Sequence, residues 1–195
     1  HTVTRRQRQM CIRDSQMVAC GIVFTRTKHG ANRLAKQLSK VGIPSDSIHG
    51  DKSQTARTRA LEAFRNGDVF ILVATDIASR GIDVEDITHV FNFDLPNEPE
   101  VYIHRIGRTA RAGREGLAYS FCDETESGYL VGIQQLLGED IEVLEEQPYH
   151  FEKARPKPGQ KPGRVKGAPA GGRSRRGTGR GSSRSKAPWK ACRPP

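Results

Sequence analysis

Between residues 18 and 151, short unbroken apolar runs alternate with longer stretches in which apolar residues return every three or four positions. The first pattern predicts strands and the second helices, because side chains alternate faces along a strand but line one helix face at i, i+3 and i+4. Gly21-Ile22-Val23-Phe24 is the first strand, and Ala31, Leu34, Ala35, Leu38 and Val41 define the apolar face of the helix after it. Residues 45–49 make a short second strand. A second helix starts at Ser53, whose hydroxyl suits an N-cap. It sets Ala56, Ala60, Ala63 and Phe64 on one face and ends at Gly67. Val69-Phe70-Ile71-Leu72-Val73-Ala74 is the strongest strand, continuously apolar as suits a strand covered on both faces. Residues 87–93 and 117–122 supply further strands, and a helix over 126–137 closes the body.

Strand and helix in this rhythm predict an α/β fold, a mostly parallel sheet with helices on both faces. Ligands of such sheets gather at the loops leaving the strands' carboxyl ends. Thr25-Arg26-Thr27, Thr75-Asp76 and Asp94 fall there. Phe24, Phe64, Phe70 and Phe91 read as core. His29, His49, His89 and His150 share no metal-ligand spacing and read as surface or packing residues.

Charge divides the chain. Residues 153–195 hold 14 of the 32 Lys and Arg residues and no Asp or Glu, which leaves the body with 18 basic against 22 acidic residues. That tail is rich in Gly, Pro and Ser, with Val165 and Trp189 its only sizeable apolar groups. It cannot bury enough surface to offset ordering entropy, so residues 152–195 are predicted to be disordered. Gly171-Gly172-Arg173-Ser174-Arg175-Arg176-Gly177 and Gly179-Arg180-Gly181 resemble Arg-Gly segments that bind RNA loosely through phosphate contacts and stacking. No apolar run reaches membrane-spanning length and no signal peptide opens the chain, which points to a cytoplasmic protein with no membrane role. Cys11, Cys20, Cys122 and Cys192 lack CxxC spacing and suit a reducing compartment.

Residues 1–15 look foreign to the body. Met10-Cys11-Ile12-Arg13-Asp14-Ser15 matches what a transposase mosaic-end adapter used in sequencing libraries would encode. The segment is expected to be non-native read-through, with the true chain continuing upstream; the alternative is a polar native linker. The body domain then spans residues 16–151.

The densest chemistry is the octet His104-Arg105-Ile106-Gly107-Arg108-Thr109-Ala110-Arg111. Three arginines in so short a stretch repel one another unless an anion sits between them, and a triphosphate or a nucleic-acid backbone meets that need. Arg108 and Arg111, at i and i+3, share one side of a helical turn. Thr75 and Gly81 offer a hydroxyl and close-approach amides, suited to a phosphate or sugar without reading bases. Taken singly, Arg80 and Asp83 fit a loop ion pair, Arg57 a solvated helix charge, and Thr75-Asp76 a capped turn.

Four blocks in order resemble the second RecA-like domain of DEAD-box RNA helicases. Val23-Phe24-Thr25-Arg26-Thr27-Lys28 is similar to motif IV, and Gln54-Thr55-Ala56-Arg57 to motif IVa. Ala74-Thr75-Asp76-Ile77-Ala78-Ser79-Arg80-Gly81-Ile82-Asp83 is similar to motif V, and His104 to Arg111 to motif VI, with Asn92-Phe93-Asp94-Leu95-Pro96 as the linking segment. Arg26-Thr27-Lys28-His29-Gly30-Ala31 and the basic tail most resemble the bacterial RhlE subgroup. The resemblance implies a RecA-like sheet. It implies that Thr25, Arg26, Gln54, Arg57, Thr75 and Gly81 face the RNA backbone, and that Asp83 meets the ATP ribose. Arg108 and Arg111 are implied to act as arginine fingers on ATP, His104 to bridge to the partner domain, and Arg105 to support the motif locally. Ala110 and Ser79 are minor departures, standing where glycine and alanine are common. The chain holds no G-x-x-x-x-G-K-[ST] phosphate loop, no D-E-A-D segment and no adenine-reading glutamine motif. ATP and Mg²⁺ are therefore expected to be held mainly by an N-terminal RecA-like domain, without which this chain is inactive. The alternative is a non-catalytic RNA-binding protein with a RecA-like body and an Arg-Gly tail.

Overall fold

The computed structural model describes residues 20–79, 87–109, 116–144 and 154–163. Strands β1 (Gly21–Phe24), β2 (Ser45–Ile48), β3 (Ile71–Ala74), β4 (His89–Asn92) and β5 (Leu117–Ser120) form one sheet in the order β2-β3-β1-β4-β5. Every neighbouring pair is parallel. The register is level: Phe24 stands beside Ala74 and Asn92, Ile48 beside Ala74, and Ser120 beside Asn92. All five strands therefore deliver the chain to the same edge.

Helices α1 (Lys28–Lys40) and α2 (Gln54–Arg65) cover opposite faces. Ala31, Leu34, Ala35 and Leu38 of α1 pack on Val23, Ile71, Val73 and Phe91. Ala60 and Phe64 of α2 pack on Ile22, Phe24, Ile48, Leu72 and Ala74. This period-two division is why β1 and β3 are apolar throughout; each large side chain so buried contributes about 1.5–3 kcal/mol. The short helix α3 (Asp76–Ser79) follows β3, and α4 (Pro99–Ile106) and α5 (Ser127–Leu137) pack together through Leu95, Tyr102, Ile106 and Ile133. The predicted caps are present. The Ser53 hydroxyl accepts the Ala56 N–H at 3.2 Å, and Gly67 takes φ +80° just past α2, a conformation that glycine adopts without strain.

Four expectations change. Val41 lies past the last turn of α1 as its C-cap, so its side chain leaves the apolar face and is 55% exposed. Phe70 is not core: β3 begins at Ile71, and Phe70 sits before the sheet, 42% exposed, with its N–H on the Pro44 carbonyl at 2.9 Å. Helix α4 went unread, although Pro99 at its start and Tyr102 and Ile106 four apart are helix signals. The packed chain also extends past residue 152. Ala154 is buried, and the Gly163 N–H donates to the Gly128 carbonyl on α5 at 2.8 Å. The rest of the tail and residues 1–15 lie outside the described residues.

Candidate functional site

Three of the strand exits are tied together by one side chain. Arg105, on the last turn of α4, is only 2% exposed. Its Nε and Nη2 donate to Asp76 Oδ1 and Oδ2 at 2.6 and 2.8 Å, a bidentate pair just past β3. Its Nη1 donates to Asn92 Oδ1 at 3.1 Å and to the Asp94 carbonyl at 2.7 Å, at the end of β4. The guanidinium lies 5.0 Å from the centre of the Phe24 ring, the last residue of β1. A planar fork with five donors can satisfy this set, and lysine cannot. The apolar run that opens α4 buries Tyr102 and Ile106 and so turns Arg105 inward with them.

The same geometry sorts the rest of the octet. Helix α4 stops at Ile106, so the octet is not one helical turn throughout. His104 is exposed on the last turn. Arg108 follows Gly107 in the turn beyond, half-buried, with its N–H on the Arg105 carbonyl at 3.1 Å. Thr109 is buried, and its hydroxyl donates to the Ile106 carbonyl at 3.0 Å. Arg111 lies outside the described residues, as do Gly81 and Asp83. The repulsion expected among three arginines is partly relieved from within, since Asp76 balances Arg105.

The loop after β1 is pinned to the loop after β4. The Arg26 N–H donates to Asp94 Oδ2 at 2.9 Å, and Arg26 Nη2 donates to the Leu95 carbonyl at 3.0 Å and to Glu126 Oε1 at 2.9 Å. Thr25 reaches this edge but turns inward: it is 1% exposed, and its hydroxyl donates to the Thr27 carbonyl at 3.3 Å. That bond shapes the loop that carries Arg26. Thr27 caps α1 by accepting the Gly30 N–H at 3.0 Å. Lys28 pairs with Asp51 of the loop after β2, and that bond holds the Asp51 carboxyl below its ordinary range.

Gln54 is exposed at the start of α2, and its Oε1 accepts Arg57 Nη1 at 3.3 Å. Arg57 Nη2 approaches the Ala78 carbonyl of α3 at 3.5 Å, while its buried Nε has no partner among the described residues. Thr75 opens the turn into α3: its N–H donates to the Ile48 carbonyl at 3.3 Å, and its own carbonyl accepts the Ala78 N–H at 3.1 Å. Arg26, Asp76, Pro96, Asn97, Glu98, Val101 and Arg105 line an open depression of about 200 Å³ on this edge. The structure thus brings Arg26, Thr75, Asp76, Asp94 and Arg105 to one surface, with Gln54 and Arg57 tied to it through α3. Asn92 and Glu126 were not read as part of it. Their partners are 13 and 100 residues away, so spacing along the chain carries no signal for them.

Of the histidines, His49 and His89 are buried packing residues and His29 is exposed; His150 lies outside the described residues. His49 Nε2 meets Asn32 Oδ1 at 3.0 Å, and His89 stacks with Phe91 and Tyr119. Burial lowers the pKa of both. Among the described residues, no three His, Cys, Asp or Glu side chains come together to hold a metal ion, and no helix is long and apolar enough to cross a membrane.

Residues 5–113 match the family described as helicase conserved C-terminal domain. The chain belongs to that family. Its curated relatives include the ATP-dependent RNA helicase CshA of Listeria monocytogenes, 42% identical over 132 residues, which are 68% of this chain and 25% of that protein. The DEAD-box ATP-dependent RNA helicase CshA of Bacillus subtilis is 44% identical over 133 residues, 68% of this chain and 27% of its own length. The chain thus spans about a quarter of the length of these relatives. Among solved structures, E. coli DEAD-box protein SrmB bound to regulator of ribonuclease activity A superposes with a TM-score of 0.69 at 35% identity, covering 83% of this chain and 93% of that one. S. cerevisiae Dbp5 bound to RNA and ADP BeF3 gives a TM-score of 0.64 at 35% identity, covering 71% and 38%. This helicase C-terminal domain is therefore of the DEAD-box kind, with the RecA-like sheet expected from its motifs.

Proposed function

We propose that this domain is the C-terminal half of an ATP-dependent RNA helicase, closing with an N-terminal RecA-like domain over ATP and RNA to unpair short duplexes. The observation that carries the reading is the Arg105 clamp. It fastens the helix that leads to Arg108 onto the Thr75-Asp76 turn and the Asp94 loop, so finger and RNA edge move as one body. The RNA and ADP BeF3 bound by the similar Dbp5, and the ATP-dependent activity named for the CshA relatives, support it.

In this mechanism Arg108 and Arg111 reach across the cleft and stabilise charge developing on the γ-phosphate. Such fingers supply roughly 10³–10⁵ in rate. Asp83 meets the ATP ribose and His104 contacts the partner domain. Thr25, Arg26, Gln54, Arg57, Thr75 and Gly81 hold the RNA backbone without reading bases, and the Thr25 hydroxyl also shapes the loop that carries Arg26. No Mg²⁺ ligand is assigned to this chain; the ion belongs with the partner domain's phosphate loop. We place the protein in the cytoplasm and in the RhlE-like subgroup, the latter on Arg26 to Ala31 and the basic tail.

The test is Arg111→Ala, alongside Arg108→Ala, in the protein that carries both RecA-like domains. RNA-stimulated ATP hydrolysis is expected to be abolished while RNA binding stays mostly intact. Unchanged turnover would refute the finger role, and the absence of ATPase in the wild-type protein would favour a non-catalytic RNA binder.

A further inference from the structure

Helix α5 offers the chain beyond residue 152 a seat made of backbone. Gly128 and Gly132 stand one turn apart on it. A methyl group on Gly128 would stand 3.0 Å from Gly163 Cα and N, and one on Gly132 would stand 3.2 Å from Pro99 Cγ and 3.7 Å from Pro162 Cβ. The segment 154–163 fills this seat through the Gly163–Gly128 hydrogen bond and through Gln160 Nε2, which donates to Ser127 Oγ at 2.9 Å.

The seat borders Arg26. Tyr129, between the two glycines, touches Gly163: a methyl there would stand 3.0 and 3.1 Å from its Cδ1 and Cε1. The Arg26 guanidinium lies 5.6 Å from the centre of the same ring. One turn earlier Glu126, 3% exposed, accepts Arg26 Nη2 at 2.9 Å and the Leu95 N–H at 3.1 Å. The first turn of α5 therefore holds the motif IV arginine on one side and the start of the tail on the other.

We propose that Glu126 and Tyr129 are positioning residues for Arg26, and that the strap 154–163 sets how firmly they hold it. This rests on the proposed contact of Arg26 with the RNA backbone. A long side chain ordered in advance loses less freedom when a phosphate arrives, so a seated strap strengthens the grip of the β1 loop on RNA. A released strap frees the Tyr129 ring and loosens Arg26.

The experiment measures the dissociation constant of a single-stranded oligouridylate for the 195-residue chain and its variants. Gly128→Ala and Gly163→Val push side-chain atoms into the seat without touching Arg26, and faster hydrogen exchange of the residue 163 amide, which bonds the Gly128 carbonyl in the seated strap, reports the release. Each is expected to weaken binding by about three- to tenfold, and Glu126→Gln by a similar factor. None should weaken it further in an Arg26→Ala background, a result that a general loss of structure would not produce. Wild-type affinity with the strap released overturns the proposal. Tighter binding by Glu126→Gln also overturns it, since the carboxylate would then compete with phosphate. If Arg26→Ala alone binds as well as wild type, the RNA contact of Arg26 fails and the coupling falls with it.

Discussion

Arg105 shows how one residue can be misjudged by its neighbours. Its place in a run of arginines suggests a ligand contact, yet its charge is spent inside the domain on Asp76. Reading it as local support was possible from the motif, but the identity of its partner was not, because Asp76 lies 29 positions away. Asp76→Ala would leave a buried guanidinium without a counter-charge. The expected loss is about 2–4 kcal/mol in urea unfolding, below the figure for a fully enclosed pair because Asp76 is open to water on one side. A second consequence concerns His89. Its pKa is lowered by burial, so the unfolded chain binds a proton that the folded chain refuses. Stability from this group is complete above the ordinary histidine pKa and is lost as pH falls below it. Melting temperature should drop on acidification from about pH 7.5 to about pH 5.5, and the drop should be smaller in His89→Phe, which keeps the stacked ring without the titrating nitrogen. An equal drop in both would assign the acid sensitivity to other groups.

Elements were legible where local chemistry decides them. Strands β1 and β3 read as buried because each carries an unbroken apolar run, and the start and stop of α2 were written in Ser53 and Gly67. The strand ends were less so. Phe70 is as apolar as the residues after it, and only the pairing register decides that the sheet begins one position later. Helix α4 shows the opposite failure: its eight residues carry two buried apolar positions, too few for periodicity to stand out against the charges that follow. The Ser53 cap gives an element-scale test. Ser53→Ala removes the acceptor for the Ala56 N–H and should lower stability by about 1 kcal/mol in chemical denaturation. Because Gln54 and Arg57 sit on the first turn of the same helix, fraying there should also weaken RNA binding more than an equal loss of stability placed in α5.

At the scale of the whole molecule, the level register of five parallel strands converts separate motifs into one surface. The body that carries it is acidic on balance, with 18 basic against 22 acidic residues before residue 153. Such a body binds a polyanion only through the local cations on its strand edge, and a basic extension adds the long-range attraction the body lacks. The sequence marked residues 152–195 as that extension, but its opening part belongs to the fold. Removing everything after residue 152 would strip α5 of packing and confound any RNA measurement. The informative cut falls after Gly163, deleting residues 164–195 and with them ten of the basic side chains. Thermal stability should then stay unchanged while RNA affinity falls. The slope of log affinity against log salt should become shallower, since fewer counterions leave the RNA when fewer cations bind it. A shortened chain with the same salt slope would show that the tail makes no phosphate contacts and that the strand edge alone carries the binding.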